Sequence, residues 1–465
     1  MKKIFITIFS LSSILFAQGH GTWTLTDPLK IPRQYSASVE LVNGNIFVTG
    51  GEDSISINTT EIFDYKNEKW KASSPMIVGR GSHLMVRLKN GNVMAIGGFG
   101  TKSCEIFDTL SQHWSLTDSL HEERSYGETA TILDNGNVLV VGGFYLSVHL
   151  TKGLKSCEIY DALNSRWALI DSLKLDRYYH SATKLLDGRV LIVGGFNIEE
   201  KGEINDCEIY DPITGKWIQV AHLNVGRYEH TATLLPNGKV LVTGGVNYTN
   251  DQSPWLSSCE LYDPIQNAWT IVGSMLYPRA SHSAIILKSG LLLLAGGDMN
   301  NTTWELYDLN TFSSIYGNSY PGKQLVPSIN LLPTGKVISA GGTTWTDGSL
   351  PVISSTKMCY IYDPNGINSV QIPNDKLVQD FRLYQNYPNP FNPSTTVKYE
   401  LPKTSSVIIK IYNSIGEEIT TLINKTQPAG SYSVNFNAKG FSSGIYFYQI
   451  IANDWVCTNK MLLIK

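Results

Sequence analysis

The 465-residue chain has a formal net charge of −3, 17% charged and 11% aromatic residues, and no acidic or basic block. That balance argues against nucleic acid as a partner and suits a large all-β protein with many turns. Residues 1–17 read as a signal peptide: Lys2 and Lys3, an apolar stretch from Ile4 to Phe16, then Ala17 before Gln18. The stretch is too short to span a membrane, and no other apolar run is long enough. The mature chain is expected to be exported, with a charge of −5 once the two lysines are gone.

A Gly-Gly pair after an apolar run then recurs seven times, at Gly50, Gly97, Gly142, Gly194, Gly244, Gly296 and Gly341, in steps of 47, 45, 52, 50, 52 and 45 residues. A period of this size marks an array of supersecondary units. The fourth repeat shows the grammar most fully: Arg177-Tyr-Tyr-His180, Asp187-Gly188, Val190 to Val193, Gly194-Gly195, Cys207-Glu-Ile-Tyr-Asp211, Trp217. Asn-Gly or Asp-Gly before the second run suits a tight hairpin that needs positive φ, so the first two runs are adjacent antiparallel strands. The second run is continuously apolar, which demands cover on both faces. Trp70, Trp114, Trp167, Trp217 and Trp269 each stand six residues after the repeat's Asp, placing one large ring per sheet as a filler between sheets.

The combination of Gly pair, Tyr-Asp and spaced Trp resembles the kelch repeat, in the bacterial variety related in fold to galactose oxidase. The resemblance covers residues 22–365 and implies a seven-bladed β-propeller over 18–365, one four-stranded blade per repeat. In the last repeat Ser369 stands where Trp is expected, whereas Trp23-Thr-Leu-Thr-Asp is a fourth-strand motif with no strands before it. The N-terminal strand is therefore expected to complete the last blade and remove two open edges, with Val370 to Ile372 as its rival. Cys104, Cys157, Cys207, Cys259 and Cys359 hold equivalent positions in five repeats, too far apart for disulfides, and read as buried free thiols.

Residues 366–381 read as a linker. Beyond it lie Leu383 to Thr396, with Tyr387-Pro-Asn-Pro-Phe-Asn-Pro393, and alternating runs at Val397 to Leu401, Val407 to Tyr412, Ile419 to Ile423, Tyr432 to Phe436, Ile445 to Ile451 and Met461 to Ile464. These predict a small immunoglobulin-like β-sandwich. With Gly430, Gly444-Ile-Tyr-Phe-Tyr and the ending Lys460-Met-Leu-Leu-Ile-Lys465, residues 382–465 resemble the type A C-terminal sorting domain of the type IX secretion system of certain Gram-negative bacteria. The resemblance implies passage through the periplasm, the type IX machinery as partner, and a mature protein released or held at the outer cell surface.

Two sets of polar residues travel with the repeat. His83, His180, His230 and His282 stand 14 residues before the first Gly, where Ser36, Glu128 and Pro327 stand in the other repeats. Arg33, Arg80, Arg124, Arg177, Arg227 and Arg279 precede the pair by 17 or 18 residues, and Glu61, Glu105, Glu158, Glu208, Glu260 and Glu305 precede the Asp by three. Both are lost together in the seventh repeat, to Gln324 and Tyr360, which points to a charge pair inside each repeat, with a ligand-binding arginine ring as the rival reading. From the second Gly to the Asp the repeats use 13, 10, 18, 16, 18, 11 and 21 residues. The long connections lie on one face and carry Tyr145, Tyr248, Trp255 and Trp345, the candidate ligand-binding residues for carbohydrate or protein.

No catalytic residue, metal site or cofactor is assigned. Galactose oxidase chemistry needs copper held by Tyr and His with a Cys cross-linked to Tyr, whereas these cysteines occupy a repeated strand position. No Gly-x-Ser-x-Gly or His-Glu-x-x-His motif occurs. The expected function is that of an exported binding protein; the alternative is an extracellular carbohydrate-active enzyme with a pocket on the propeller face.

Overall fold

The computed structural model describes residues 21–146, 151–200, 202–248, 254–298, 303–319, 324–325, 328–345, 353–366, 381–386, 388–427 and 430–464. The signal segment, Val370 to Ile372 and Pro327 lie outside them. The chain divides into two compact units, residues 1–368 and 369–465.

In the first unit the described residues form seven four-stranded antiparallel sheets with small hairpins between them. In the fourth, Ser181–Lys184, Val190–Val193, Cys207–Asp211 and Lys216–Val220 pair in chain order. The first strands adjoin one another in cyclic order: Ala37–Glu40, Leu84–Arg87, Thr129–Ile132, Ser181–Lys184, Thr231–Leu234, Ser283–Ile286, Ser328–Leu331, and back to Ala37–Glu40. Second strands such as Val138–Val141 and Val190–Val193 are buried at every position, as a sheet covered on both faces requires.

The tryptophans fill the space between neighbours. Trp70 packs 5.1 Å from Phe63 of its own sheet and shares a buried cluster with Ile338, Cys359 and Ile361 of the seventh. Trp167 likewise joins Met94, Ile96 and Cys104 of the second sheet. All five repeat cysteines are free and buried, and burial pushes each thiol up to about 12, so they act as small apolar side chains. The repeat's Asp closes the next turn: Asp108 Oδ1 accepts from the N–H of Leu110 at 3.0 Å and of Ser111 at 2.7 Å.

The Gly pair serves the junction between sheets. Gly50 and Gly51 sit at φ 55° and 102°. A Cβ on Gly50 would lie 2.3 Å from the carbonyl oxygen of Arg80, in the next repeat. Gly51 donates its N–H to that carbonyl at 2.9 Å, and the link recurs from Gly143 to Arg177, Gly195 to Arg227 and Gly245 to Arg279. Gly342 donates to Arg33 at 2.9 Å, joining the last sheet to the first. Glycine is required twice over, for positive φ and for this approach of backbone to backbone.

The outer strand of the seventh sheet comes from the beginning of the chain: Thr22–Leu25 pairs with Cys359–Asp363, setting Trp23 opposite Tyr362 with ring centroids 5.3 Å apart. Trp23 thus takes the place left without a tryptophan at Ser369.

In the second unit Arg382–Leu383, Ser394–Leu401 and Gly430–Asn437 form one sheet; Glu418–Gln427, Ser405–Tyr412, Gly444–Ala452 and Trp455–Leu463 form another. Both contribute to shared clusters, one containing Phe391, Val397, Ile411, Phe436, Tyr448 and Leu463. Phe391 donates to Leu462 O at 2.9 Å and accepts from Ile464 N at 3.0 Å, tying the Pro-Asn-Pro-Phe-Asn-Pro segment to the last strand.

Trp23→Ala is expected to cost about 2 kcal/mol, less than the ~3–5 kcal/mol of a fully buried Trp because this ring is only half-buried. Denaturant unfolding measures it. Deleting residues 22–25 should also produce self-association through the exposed edge of Cys359–Asp363, seen by light scattering; a monomer of unchanged stability would contradict the pairing.

Candidate ligand-binding face

Beneath the face bearing the second-to-third strand connections lie six arginines, each 0% exposed. Arg227 shows the pattern: Nη1 donates to the carbonyls of Gly244 at 2.8 Å and Ser258 at 3.1 Å, and Nη2 donates to Glu260 at 2.8 Å. The Glu260 carboxylate also accepts the backbone N–H groups of Asn224 at 2.8 Å and Val225 at 3.1 Å. Arg33–Glu61, Arg80–Glu105, Arg124–Glu158, Arg177–Glu208 and Arg279–Glu305 repeat the pair at 2.6–3.0 Å. Their complete burial and the pairing of each guanidinium with a glutamate support the charge pair over the ligand-binding ring.

The four histidines are buried between sheets. His83 Nε2 lies 2.8 Å from Thr49 Oγ1 and His230 Nε2 2.8 Å from Ser181 Oγ, each across a sheet boundary. Burial, reinforced by the adjoining arginines, lowers His83, His230 and His282 to about 3, which keeps them neutral. Glu128 stands at the same position with both carboxylate oxygens lacking a hydrogen-bond partner, and burial raises it to about 7.

Just before this ring of positions the backbone turns left-handed in six repeats, at Tyr35, Ser82, Tyr126, Tyr179, Glu229 and Ser281, with φ between 50° and 55°. Inter-sheet hydrogen bonds fix most of them: Ser82 N donates to Tyr35 O at 2.9 Å, Glu229 N to Tyr179 O at 3.0 Å, and Ser281 N to Glu229 O at 2.8 Å. The third repeat has one extra residue, Gly127, between its Arg and this position. Tyr126 reaches Tyr35, two repeats away, edge to face with centroids 6.1 Å apart. From Tyr126 a chain of rings runs through Phe144 (6.0 Å), Tyr178 (5.3 Å) and Tyr179 (5.1 Å) to Tyr228 (6.4 Å), with Phe99 at one end and Phe196 at the other. Two carboxylates converge on it. Burial raises the Tyr35 hydroxyl pKa, and Glu52 and Glu229 raise it further; Glu52 acts on Tyr126 and Glu229 on Tyr178 and Tyr179.

The four residues singled out by loop length divide around this cluster. Tyr248 adjoins it, since its phenol acts on the Tyr228 hydroxyl, and its N–H donates to Glu203 at 2.9 Å. Tyr145 lies in the hairpin Phe144–Leu146 with Thr151–Gly153, opposite Lys152, and the neighbouring Phe144 is the ring that joins the chain. Trp255 bridges Val246 through its backbone. Trp345 ends the strand Thr343–Trp345; its side chain lies outside the described set. Tyr35, Tyr126, Tyr179, Tyr228, Glu52 and Glu229 escaped the loop-length argument because they stand in short, regular parts of the repeat. Their signal is variation at two fixed places, the residue after the Gly pair and those just after the Arg.

The Attractin/LZTR1 β-propeller family matches over residues 13–253. The chain belongs to this family. Its second unit matches the secretion system C-terminal sorting domain over residues 385–465, which marks the kelch-type propeller for secretion by the type IX system. Kelch-like protein 7 of Rattus norvegicus is 38% identical over 58 residues, 12% of this chain and 10% of its own length. tRNA wybutosine-synthesizing protein 4 of Saccharomyces cerevisiae is 36% identical over 95 residues, 18% and 13% of the two chains. A fungal alcohol oxidase of the AA5 family, solved with copper, shares the fold with a TM-score of 0.58 at 12% identity, covering 96% of this chain and 100% of its own. Among the described residues no three His, Cys, Asp or Glu gather as a metal-binding group, and the repeat histidines hold inter-sheet hydrogen bonds. No helix among the described residues is long and apolar enough to cross a membrane.

Because the folded pKa of Glu128, about 7, lies above the unfolded value of 4.5, the stability it contributes is full below pH 4.5 and is lost as pH rises through 7. Glu128→Gln should therefore match wild type near pH 4.5 and exceed it at pH 8 by about 3 kcal/mol, from ~1.4 kcal/mol per pKa unit. Denaturant unfolding at the two pH values checks this, and a difference independent of pH would contradict it.

Proposed function

We propose that this chain is an exported binding protein whose seven-bladed propeller, residues 18–365, recognises an extracellular ligand on the face that carries the second-to-third strand connections. The observation that carries the reading is the meeting of Tyr35 and Tyr126, from two non-adjacent repeats, with Glu52 and Glu229 beside them. Half-exposed aromatic rings on a rigid frame bind at small entropic cost, and the inter-sheet hydrogen bonds at Tyr35, Tyr179 and Glu229 hold their backbone fixed. Tyr145, Tyr248, Trp255 and Trp345 are assigned to the rim of this face, where carbohydrate or protein would extend from the cluster.

The remaining assignments follow the chain. Residues 1–17 are a signal peptide, 366–381 a linker, and 382–465 an immunoglobulin-like sorting domain that engages the type IX machinery. The cyclic order of the first strands and the pairing of Thr22–Leu25 with Cys359–Asp363 support seven blades in a closed ring.

The test is a glycan array and a cell-surface pull-down with the exported chain, wild type against Tyr35→Ala/Tyr179→Ala and Trp255→Ala/Trp345→Ala. Binding lost in the first variant and weakened in the second is expected; binding indifferent to both would overturn the reading, and turnover of a bound glycan would replace it with the enzyme alternative. Deleting residues 382–465 should leave the protein in the periplasm, and normal export would refute the routing.

A further inference from the structure

The charge of the aromatic cluster narrows what it binds. Glu52 and Glu229 are each only partly exposed, and burial raises both above the usual carboxylate range. Among the described residues no basic side chain offsets that burial. Among the described residues Glu229 accepts a hydrogen bond from Ser281 Oγ at 2.8 Å, and the Glu52 carboxylate accepts none. The six arginines of this face are committed below it to Glu61, Glu105, Glu158, Glu208, Glu260 and Glu305. Two half-buried carboxylates with no basic partner among the described residues, set among tyrosine rings whose faces carry negative potential, form a cation-attracting surface.

The extent of the rings is the second constraint. The chain from Tyr35 through Tyr126, Phe144, Tyr178 and Tyr179 to Tyr228 spans the first, third, fourth and fifth repeats. A single ammonium side chain would cover one or two rings, whereas a chain of pyranose units, each with an apolar face, would use several.

We propose that the face binds an oligosaccharide of 2-amino-2-deoxy-pyranose units, the tyrosines stacking on sugar faces and Glu52 and Glu229 receiving hydrogen bonds from the free ammonium groups. This rests on the binding reading above and adds the ligand class. Charge-assisted hydrogen bonds from ammonium to carboxylate supply the selectivity, because N-acetylation removes the charge and leaves the ring.

Calorimetric titration of the exported full chain with a glucosamine tetramer, its fully N-acetylated form and tetralysine tests it. The free tetramer should bind at least tenfold more tightly than either of the others. Glu52→Gln alone, and Glu52→Gln with Glu229→Gln, should bring the free tetramer close to the acetylated one without lowering Tm, while Tyr179→Ala should weaken both sugars. Equal or tighter binding of the acetylated tetramer with Tyr179→Ala still damaging would overturn the ammonium inference and leave the binding face standing. Tetralysine equal to the glucosamine tetramer would overturn the sugar class. Sugar binding insensitive to Tyr35→Ala and Tyr179→Ala would remove the face itself.

Discussion

The first six repeats are each organised around a buried arginine that joins separate stretches of chain. In five of the six its backbone carbonyl accepts from the second glycine of the preceding repeat; in all six its Nη1 donates to the carbonyl of the first glycine of its own repeat, and its Nη2, or Nε in Arg279, reaches the glutamate of the third strand. A guanidinium has five donors in a fixed planar fork, so one side chain fixes both direction and distance for all these partners. Removing it from water is costly, and the cost is offset only because the glutamate and the neighbouring carbonyls are in place. In the seventh repeat arginine and glutamate are absent together, so neither ion is left without the other.

The same node sets the face proposed to bind ligand. The residues just after the arginines pair across neighbouring repeats, and those hydrogen bonds lock several in left-handed backbone. Where the repeat is regular this produces a ring of similar positions occupied by Tyr, Ser or Glu. Where Gly127 adds one residue, Tyr126 is carried to Tyr35 and the symmetry of the ring is broken. A single insertion beside a fixed anchor thus converts a repeated structural position into an asymmetric site.

Much of the frame was legible in the sequence because repetition samples the same physics seven times. The Asn-Gly turns, the doubly buried second strands, the inter-sheet tryptophans, the free cysteines and the Arg–Glu pairs all follow from residue type at a fixed offset, and Trp23 pointed to the N-terminal strand as the one that completes the seventh sheet. The site was less legible for the converse reason. Loop length directed attention to Tyr145, Tyr248, Trp255 and Trp345, of which Tyr248 adjoins the cluster. Tyr35 and Tyr126 are 91 positions apart in sequence, and only the closure of first strands around a common centre brings them together. The partnerless carboxylate of Glu128 was equally hidden, since it shares a repeat position with four hydrogen-bonded histidines.

The most direct test of the arginine node is a double-mutant cycle on Arg227 and Glu260 by denaturant unfolding. Arg227→Met alone should cost about 3–5 kcal/mol by leaving Glu260 charged and unpaired, and adding Glu260→Leu should recover much of that loss, giving a coupling of about 2 kcal/mol or more. Additive losses, or an Arg227→Met variant as stable as wild type, would contradict the account.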